Sequence, residues 1–239
     1  MIIHLIHLKG ISILEQLHLE ELLLREDTRN FCLLNEGSSP AIVMGISGKP
    51  EELIDFSKAQ NLGCPIIQRF SGGGTVVVDE NTLFVTFLCN KQEFTFPSYP
   101  ERIMHWSESL YQQAFQIPHF ALKENDFVIG DFKCGGNAQY IKKDRWLQHT
   151  SFLWDYCPQK MESLLLPRKI PKYREGRSHG DFLCTLNKYL PSKESFFEQM
   201  TKMLSSQFQV IPWDLTPLEY ANIQNSTSSR RQTKIIQPC

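Results

Sequence analysis

No stretch of this chain approaches the roughly 18 consecutive apolar residues that a membrane-spanning helix requires, so no transmembrane segment is expected. An excess of one charge sign is also lacking. Lys and Arg number 25 against 26 Asp and Glu, and the net charge of -1 offers no global basic field to nucleic acid. The seven cysteines are scattered, odd in number and free of any C-x-x-C pair. That pattern argues against a disulfide framework and against a thiolate zinc site, and it suits a reducing cytoplasm. The seven histidines are dispersed without an H-E-x-x-H, so a structural metal is not expected. The opening eight residues lack a basic flank and an apolar run of signal-peptide length, and they read as a first strand. There is no internal repeat, no dinucleotide fingerprint (G-x-G-x-x-G) and no Walker A loop.

What is present is the composition of a globular α/β domain. A hydrophobic fraction of 41% is enough for a sizeable core. Ile11 to about Asp27 reads as a helix apolar on both sides. Ile13, Leu14, Leu17 and Leu24 share one side and Leu19, Leu22 and Leu23 the other, which implies burial between layers. Pro100–Phe115 and Ser195–Phe208 are further amphipathic helices. Core packing is the default for the Phe196, Met200 and Met203 stripe. Pro50–Phe56 is a short helix opening on Pro and acids. Strands are expected at 30–35, 41–45, 64–70, 76–79, 82–89, 127–129, 138–141 and 146–154. The run from Leu83 to Cys89 is apolar on both alternating faces, so that strand should be covered twice. Such interleaving gives a single α/β domain over residues 1–221. The polar 222–239 stretch reads as a flexible tail.

Three consecutive glycines, Gly72, Gly73 and Gly74, interrupt this pattern after Arg69 and Ser71 and before Thr75, Val76 and Val77. Glycines leave backbone N–H groups unshielded, and a preceding guanidinium is what a phosphate or carboxylate asks for. A wide hairpin loop with a surface arginine accounts for the same residues. Further on, Lys133 stands two residues before Gly135-Gly136, with Asn137, Ala138 and Gln139 following. His149 lies on a strand face with Leu147 and Leu153. Taken singly, a surface lysine at a turn and a satisfied half-buried histidine explain these two. Arg168, Lys169, Lys172, Arg174 and Arg177 crowd a proline-containing loop. Either a solvated connection or a docking surface for an acidic partner fits that crowding.

In order and spacing, these blocks resemble the lipoate–protein ligase A family of the biotin/lipoate A/B ligase superfamily. The family pattern is an Arg-x-Ser-Gly-Gly-Gly loop with a following Val and Asp, here Arg69, Ser71, Gly72–Gly74, Val76 and Asp79. An Asn-Asp pair follows as Asn125-Asp126, then a Lys-x-x-Gly-(Ser/Asn)-Ala-Gln-like turn from Lys133 to Gln139. A histidine strand comes last, at His149. The agreement covers roughly residues 40–155 and continues more weakly to about 210.

The resemblance implies a class II synthetase/biotin ligase-like fold, a mixed and mostly antiparallel sheet flanked by helices. It implies ATP-dependent formation of lipoyl-adenylate and acyl transfer to a lysine of an acidic lipoyl-carrier domain, of a 2-oxoacid dehydrogenase complex or H protein. Lys133 matches the catalytic lysine. Arg69, Ser71, Gly72, Gly73, Gly74, Thr75, Val76, Val77, Asn137 and His149 match positions that bind lipoate or ATP, and Asp126 is the expected Mg²⁺ contact. Val78, Thr150 and Phe70 depart from the usual residues. Only about thirty residues follow Phe208, too few for the accessory domain of roughly a hundred residues that some relatives carry. The chain is therefore expected to be a compact ligase, one part of a two-chain ligase, or a transferase using a preactivated acyl group. A non-catalytic lipoyl-adenylate or carrier-binding subunit is the alternative of another class. Cys134, Cys157 and Cys184 are the loose candidates for a transferase nucleophile.

Overall fold

The computed structural model describes residues 1–166, 170–214 and 232–236. The first half runs β1 (Ile2–Lys9), α1 (Ile13–Glu26), β2 (Phe31–Glu36), β3 (Ala41–Met44), α2 (Pro50–Leu53), α3 (Phe56–Asn61) and β4 (Ile66–Gln68). Then come β5 (Gly72–Gly73), β6 (Val76–Val78), β7 (Thr82–Asn90), α4 (Pro100–Phe115), β8 (Phe120–Lys123) and β9 (Asp126–Ile129). The chain continues with β10 (Phe132–Ile141), β11 (Arg145–Leu153), α5 (Pro158–Met161), α6 (His179–Phe182), α7 (Lys193–Gln207), β12 (Gln209–Pro212) and β13 (Lys234–Ile236). Among these residues, no helix is long and apolar enough to cross a membrane.

Nine strands form the main sheet, in the order β12-β1-β2-β7-β11-β10-β9-β8, with β5 pairing onto β10. Only β12–β1 and β1–β2 are parallel, so the sheet is mixed and mostly antiparallel, as the resemblance implied. A smaller sheet, β13-β4-β3-β6, lies beside it. The central strand β7 is buried almost throughout. Val85, Phe87 and Cys89 pack with α4 and α7, while Phe84 and Leu88 join clusters that include α1 residues. The sheet is covered on both faces, which is the reason its central strand reads as a continuous apolar run. The Phe196, Met200 and Met203 stripe is core packing.

Helix α1 takes its place for local reasons. Ser12 caps it with a complete capping box to Glu15, and Ser38 Oγ accepts the Ile13 N–H at 2.8 Å. At the other end the buried Arg145 donates to the carbonyls of Leu23, Asp27 and Arg29, placing a cation where the helix dipole is negative. Ile13 and Leu17 join one cluster and Leu19 and Leu23 another, and Leu24, expected beside Ile13 and Leu17, packs with the second.

Differences from expectation concentrate in glycine-rich and polar stretches. β10 begins at Phe132, six residues before the expected start, and β8 precedes it unannounced. The short helix at 50 ends at Leu53, and a separate α3 follows. Residues 232–236, expected in a flexible tail, are instead ordered, with β13 paired antiparallel to β4. The rest of that stretch, 222–231 and 237–239, lies outside the described residues.

Candidate active site

Strand alternation assigns the site to one face of the main sheet. Across the antiparallel ladders, Gly136 stands opposite Ser151 and Ala138 opposite His149, while Ser151 and His149 oppose Phe84 and Thr86. These residues share one face. Regular pairing would put Lys133 on the other. The register shifts between Lys133 and Gly135, however, so that Lys133 pairs with Val128 while Gly135 pairs with Phe127 and Gly136 with Asp126. Two steps on β10 against one on β9 make a β-bulge, a device that re-aims a side chain. It brings Lys133 into phase with Asp126, and the Lys133 Nζ lies 2.7 Å from Asp126 Oδ1.

The second Asp126 oxygen accepts from the Tyr173 hydroxyl at 2.9 Å. Burial and the adjacent carboxylate push the Tyr173 phenol well up, so it stays a donor. Tyr173 sits in a short turn, Lys172–Arg174, that opens the segment leading to α6. Arg174 is 5% exposed and lies over the Phe182 ring, and Arg177 turns back onto the Tyr173 carbonyl. Arg174 and Arg177 are thus turned inward, whereas Lys172 stays exposed. Arg168 and Lys169 lie outside the described residues. His179, half-buried nearby, is held below its ordinary value by burial and by the charges of Arg174 and Lys133.

The glycine run faces this group across a cleft of about 850 Å³. Gly72 and Gly73 do not stand free. They pair antiparallel with Gln139 and Ala138, leaving Gly74 and Thr75 beyond the pairing on the cleft wall. Gly73 has φ +123°, and a Cβ there would meet the Asn137 carbonyl oxygen at 2.6 Å, so only glycine fits. Gly45 is required for the same close approach: its Cβ would meet the Gly73 oxygen at 2.4 Å.

Arg69 lies beneath this loop. Its guanidinium donates to the carbonyls of Gly74 at 2.8 Å, Gly72 at 3.3 Å and Val43 at 3.4 Å. Burial lowers it to about 10, an effect opposed by the charge of Glu20. Arg69 therefore braces the loop from beneath while bordering the cleft. Ser71 is buried, with its hydroxyl unpartnered and its carbonyl accepting from Ile46, and it is not on the cleft wall.

The other expected residues converge. Gly72, Gly73, Gly74, Thr75, Val76, Val77, Asp126, Lys133 and His149 line one cleft with Arg69. Asn137 also borders it, but alternation puts its side chain on the opposite sheet face. There its Oδ1 accepts from Gln148 at 2.7 Å and Thr150 at 2.8 Å. His149 Nδ1 lies 2.9 Å from Glu20 Oε1, which also accepts from Gln16 at 2.8 Å and Thr86 at 2.7 Å. Ile13, Leu17, Val43 and Phe84 supply apolar walls. Sequence reasoning missed Glu20, Tyr173 and His179. The signal for Glu20 was a carboxylate four residues after Gln16 in a helix apolar on both sides.

A Mg²⁺ ion is implied by the resemblance. Among the described residues, no group of three or more His, Cys, Asp or Glu could hold a metal. Asp126 can nonetheless offer a further lone pair, which fits one protein contact to a Mg²⁺ that arrives on phosphates.

Three likenesses follow from this geometry. A protein named inactive lipoate–protein ligase 2, from Plasmodium falciparum, is 29% identical over 198 residues, covering 68% of this chain and 51% of that protein. A solved lipoate-protein ligase A bound with ATP superposes with a TM-score of 0.75 at 16% identity, over 94% of this chain and 93% of that one. The bi-partite lipoate protein ligase of Thermoplasma acidophilum, described with its E2 lipoyl domain, gives 0.75 at 16% identity over 94% and 91%. The chain spans about half the length of the first curated relative. The model of the lipoyl protein ligase A/B catalytic domain matches residues 12–209, and the chain belongs to that family.

Proposed function

We propose that the chain is an ATP-dependent lipoate–protein ligase. In the first step a lipoate carboxylate oxygen attacks the ATP α-phosphorus. The bond to the β-phosphate bridge breaks, and lipoyl-adenylate and pyrophosphate result. In the second step a neutral lysine amine of a lipoyl-carrier domain attacks the acyl carbon. The acyl–oxygen bond to AMP breaks and an amide forms, the amine giving up one proton. Both steps bring anions together or build negative charge on oxygen, so fixed positive charge and N–H donors lower the barrier.

The observation that carries this reading is Lys133 Nζ on the cleft face beside Asp126, opposite the Gly74–Thr75 edge of the glycine loop. The ammonium is placed to neutralise charge on the acyl carbonyl and α-phosphate. Asp126 orients it and is the residue that would touch Mg²⁺, which when bound neutralises phosphate charge. Arg69 acts through the loop it shapes. Val76, Val77, Phe84, Ile13 and Leu17 provide the apolar walls suited to an acyl tail. The acceptor is a folded lipoyl domain, and the scattered thiols suit the cytoplasm.

A thioester on Cys134, the cysteine nearest Lys133 in sequence, is disfavoured. That residue is 0% exposed and burial pushes its thiol well above the ordinary range, so little thiolate forms. One assay tests the proposal. The purified chain is incubated with lipoate, Mg·ATP and an apo lipoyl domain, and pyrophosphate release and domain acylation are followed. Lipoate-dependent pyrophosphate is expected. Acylation from synthetic lipoyl-adenylate without pyrophosphate release from ATP would make the chain a transferase. Binding without either step would make it a non-catalytic subunit, as the name of its Plasmodium relative allows.

A further inference from the structure

The strand that delivers the glycine loop has its outer edge covered by the chain's own last described residues. β13 pairs with β4, Ile235 opposite Ile67, and the two residues before β13 are held by side chains. Glu21, 2% exposed, accepts the backbone N–H of Gln232 at 2.9 Å and of Thr233 at 3.2 Å. Arg25 donates to the same Glu21 carboxylate at 2.8 Å and to Gln232 Oε1 at 3.2 Å. Thr233 is 4% exposed, and its Oγ1 accepts the Phe70 N–H at 3.2 Å. Phe70 is fully buried and lies between Arg69, which grips the loop carbonyls, and Ser71, whose carbonyl is held by Ile46. The root of the loop is therefore fastened from three directions, and one fastening comes from 163 residues along the chain.

We infer that Thr233 is a positioning residue for the glycine loop, and that docking of residues 232–236 sets how well the loop is ordered for substrate. The inference rests on the ligase reading for its kinetic part alone. A buried N–H without its acceptor destabilises the conformation that buries it, and local opening is the route of relief. The effect should be greatest near the loop, because the Thr233 hydroxyl bonds its root at Phe70.

The test compares Thr233→Val, which keeps shape and loses the acceptor, with Thr233→Ser, which keeps the acceptor. Amide hydrogen exchange should quicken about tenfold at residues 70–74 in Thr233→Val, with β7 and β11 unchanged. The KM for lipoate or ATP in pyrophosphate release should rise several-fold, and Thr233→Ser should restore both. Wild-type exchange at 70–74 in Thr233→Val would overturn the inference. Equal acceleration throughout the sheet would overturn it too, by making the segment a general staple. Faster loop exchange with unchanged KM would overturn the substrate role. If no variant, wild type included, releases pyrophosphate, the ligase reading fails while the exchange data still decide the clasp.

Discussion

Lys133 Nζ and Asp126 Oδ1 lie 2.7 Å apart because β10 takes up an extra residue as a bulge, which keeps both side chains on the same sheet face. The pair sits at the cleft wall with the lysine partly exposed, so the ammonium can reach a substrate without leaving its partner. Lys133→Ala is expected to lower acyl transfer on the order of 10²-fold or more, the scale of losing one charged stabiliser. Circular dichroism should report an intact fold. Wild-type turnover by the folded variant would remove Lys133 from the chemistry.

Arg69→Lys should act on the fold before it acts on binding. A lysine ammonium cannot span the carbonyls of Gly72, Gly74 and Val43 that the guanidinium fork now serves. Loss of about 2 kcal/mol is expected from urea unfolding midpoints. An unchanged midpoint with weakened nucleotide binding would mean that Arg69 faces the anion directly.

Gly73→Ala tests the tight approach of the loop to β10. At φ +123° an alanine is strained by about 1–3 kcal/mol, and its Cβ meets the Asn137 carbonyl oxygen at 2.6 Å. Lipoate and ATP binding, measured by calorimetry, should fall sharply, whereas Gly74→Ala meets nothing within 4 Å. Equal tolerance at both positions would contradict this geometry.

His179 gives the segment after the basic loop an acid sensitivity. Its folded value is depressed, so the charged form is disfavoured in the native state. Above its ordinary value of 6.5, both folded and unfolded states hold it neutral and stability is unaffected. As pH falls below 6.5 the unfolded chain takes up the proton first, and stability is lost until the folded value is passed. His179→Gln should flatten the fall in unfolding midpoint between pH 7 and 5. An identical slope for variant and wild type would show that the imidazole does not control it.

The parts of the fold that repeat a simple period were legible. α1, α4, α7 and the doubly apolar β7 carry patterns that packing merely fills in. Glycine hid β5 and the first half of β10, because a residue without a side chain carries no alternation to read. The site was legible as a set of positions and less so as a set of roles. Arg69 was legible as a charge at the loop, but not as the donor to the Gly72, Gly74 and Val43 carbonyls, because sequence shows a charge and not its direction. Asn137 sits within the matched turn, yet the pleat turns its amide to the far side. Tyr173 and Thr233 were invisible for another reason: each meets its partner through a contact with no local spacing rule, Tyr173 with Asp126 and Thr233 with Phe70.

The bulge at Lys133 has a bearing on how relatives are compared. Counting along β10 without the extra step assigns the lysine to the pleat of Phe127 and Gly135, among the rings packed under α4. Counting with it returns the lysine to Asp126. The way β10 takes up its extra residue is thus as much a determinant of the site as residue identity. A variant that dropped Cys134 would lose the bulge yet keep Lys133 opposite Val128, on the pleat of Asp126, so the bulge is what lets the core take Cys134 without turning the charge away from the cleft.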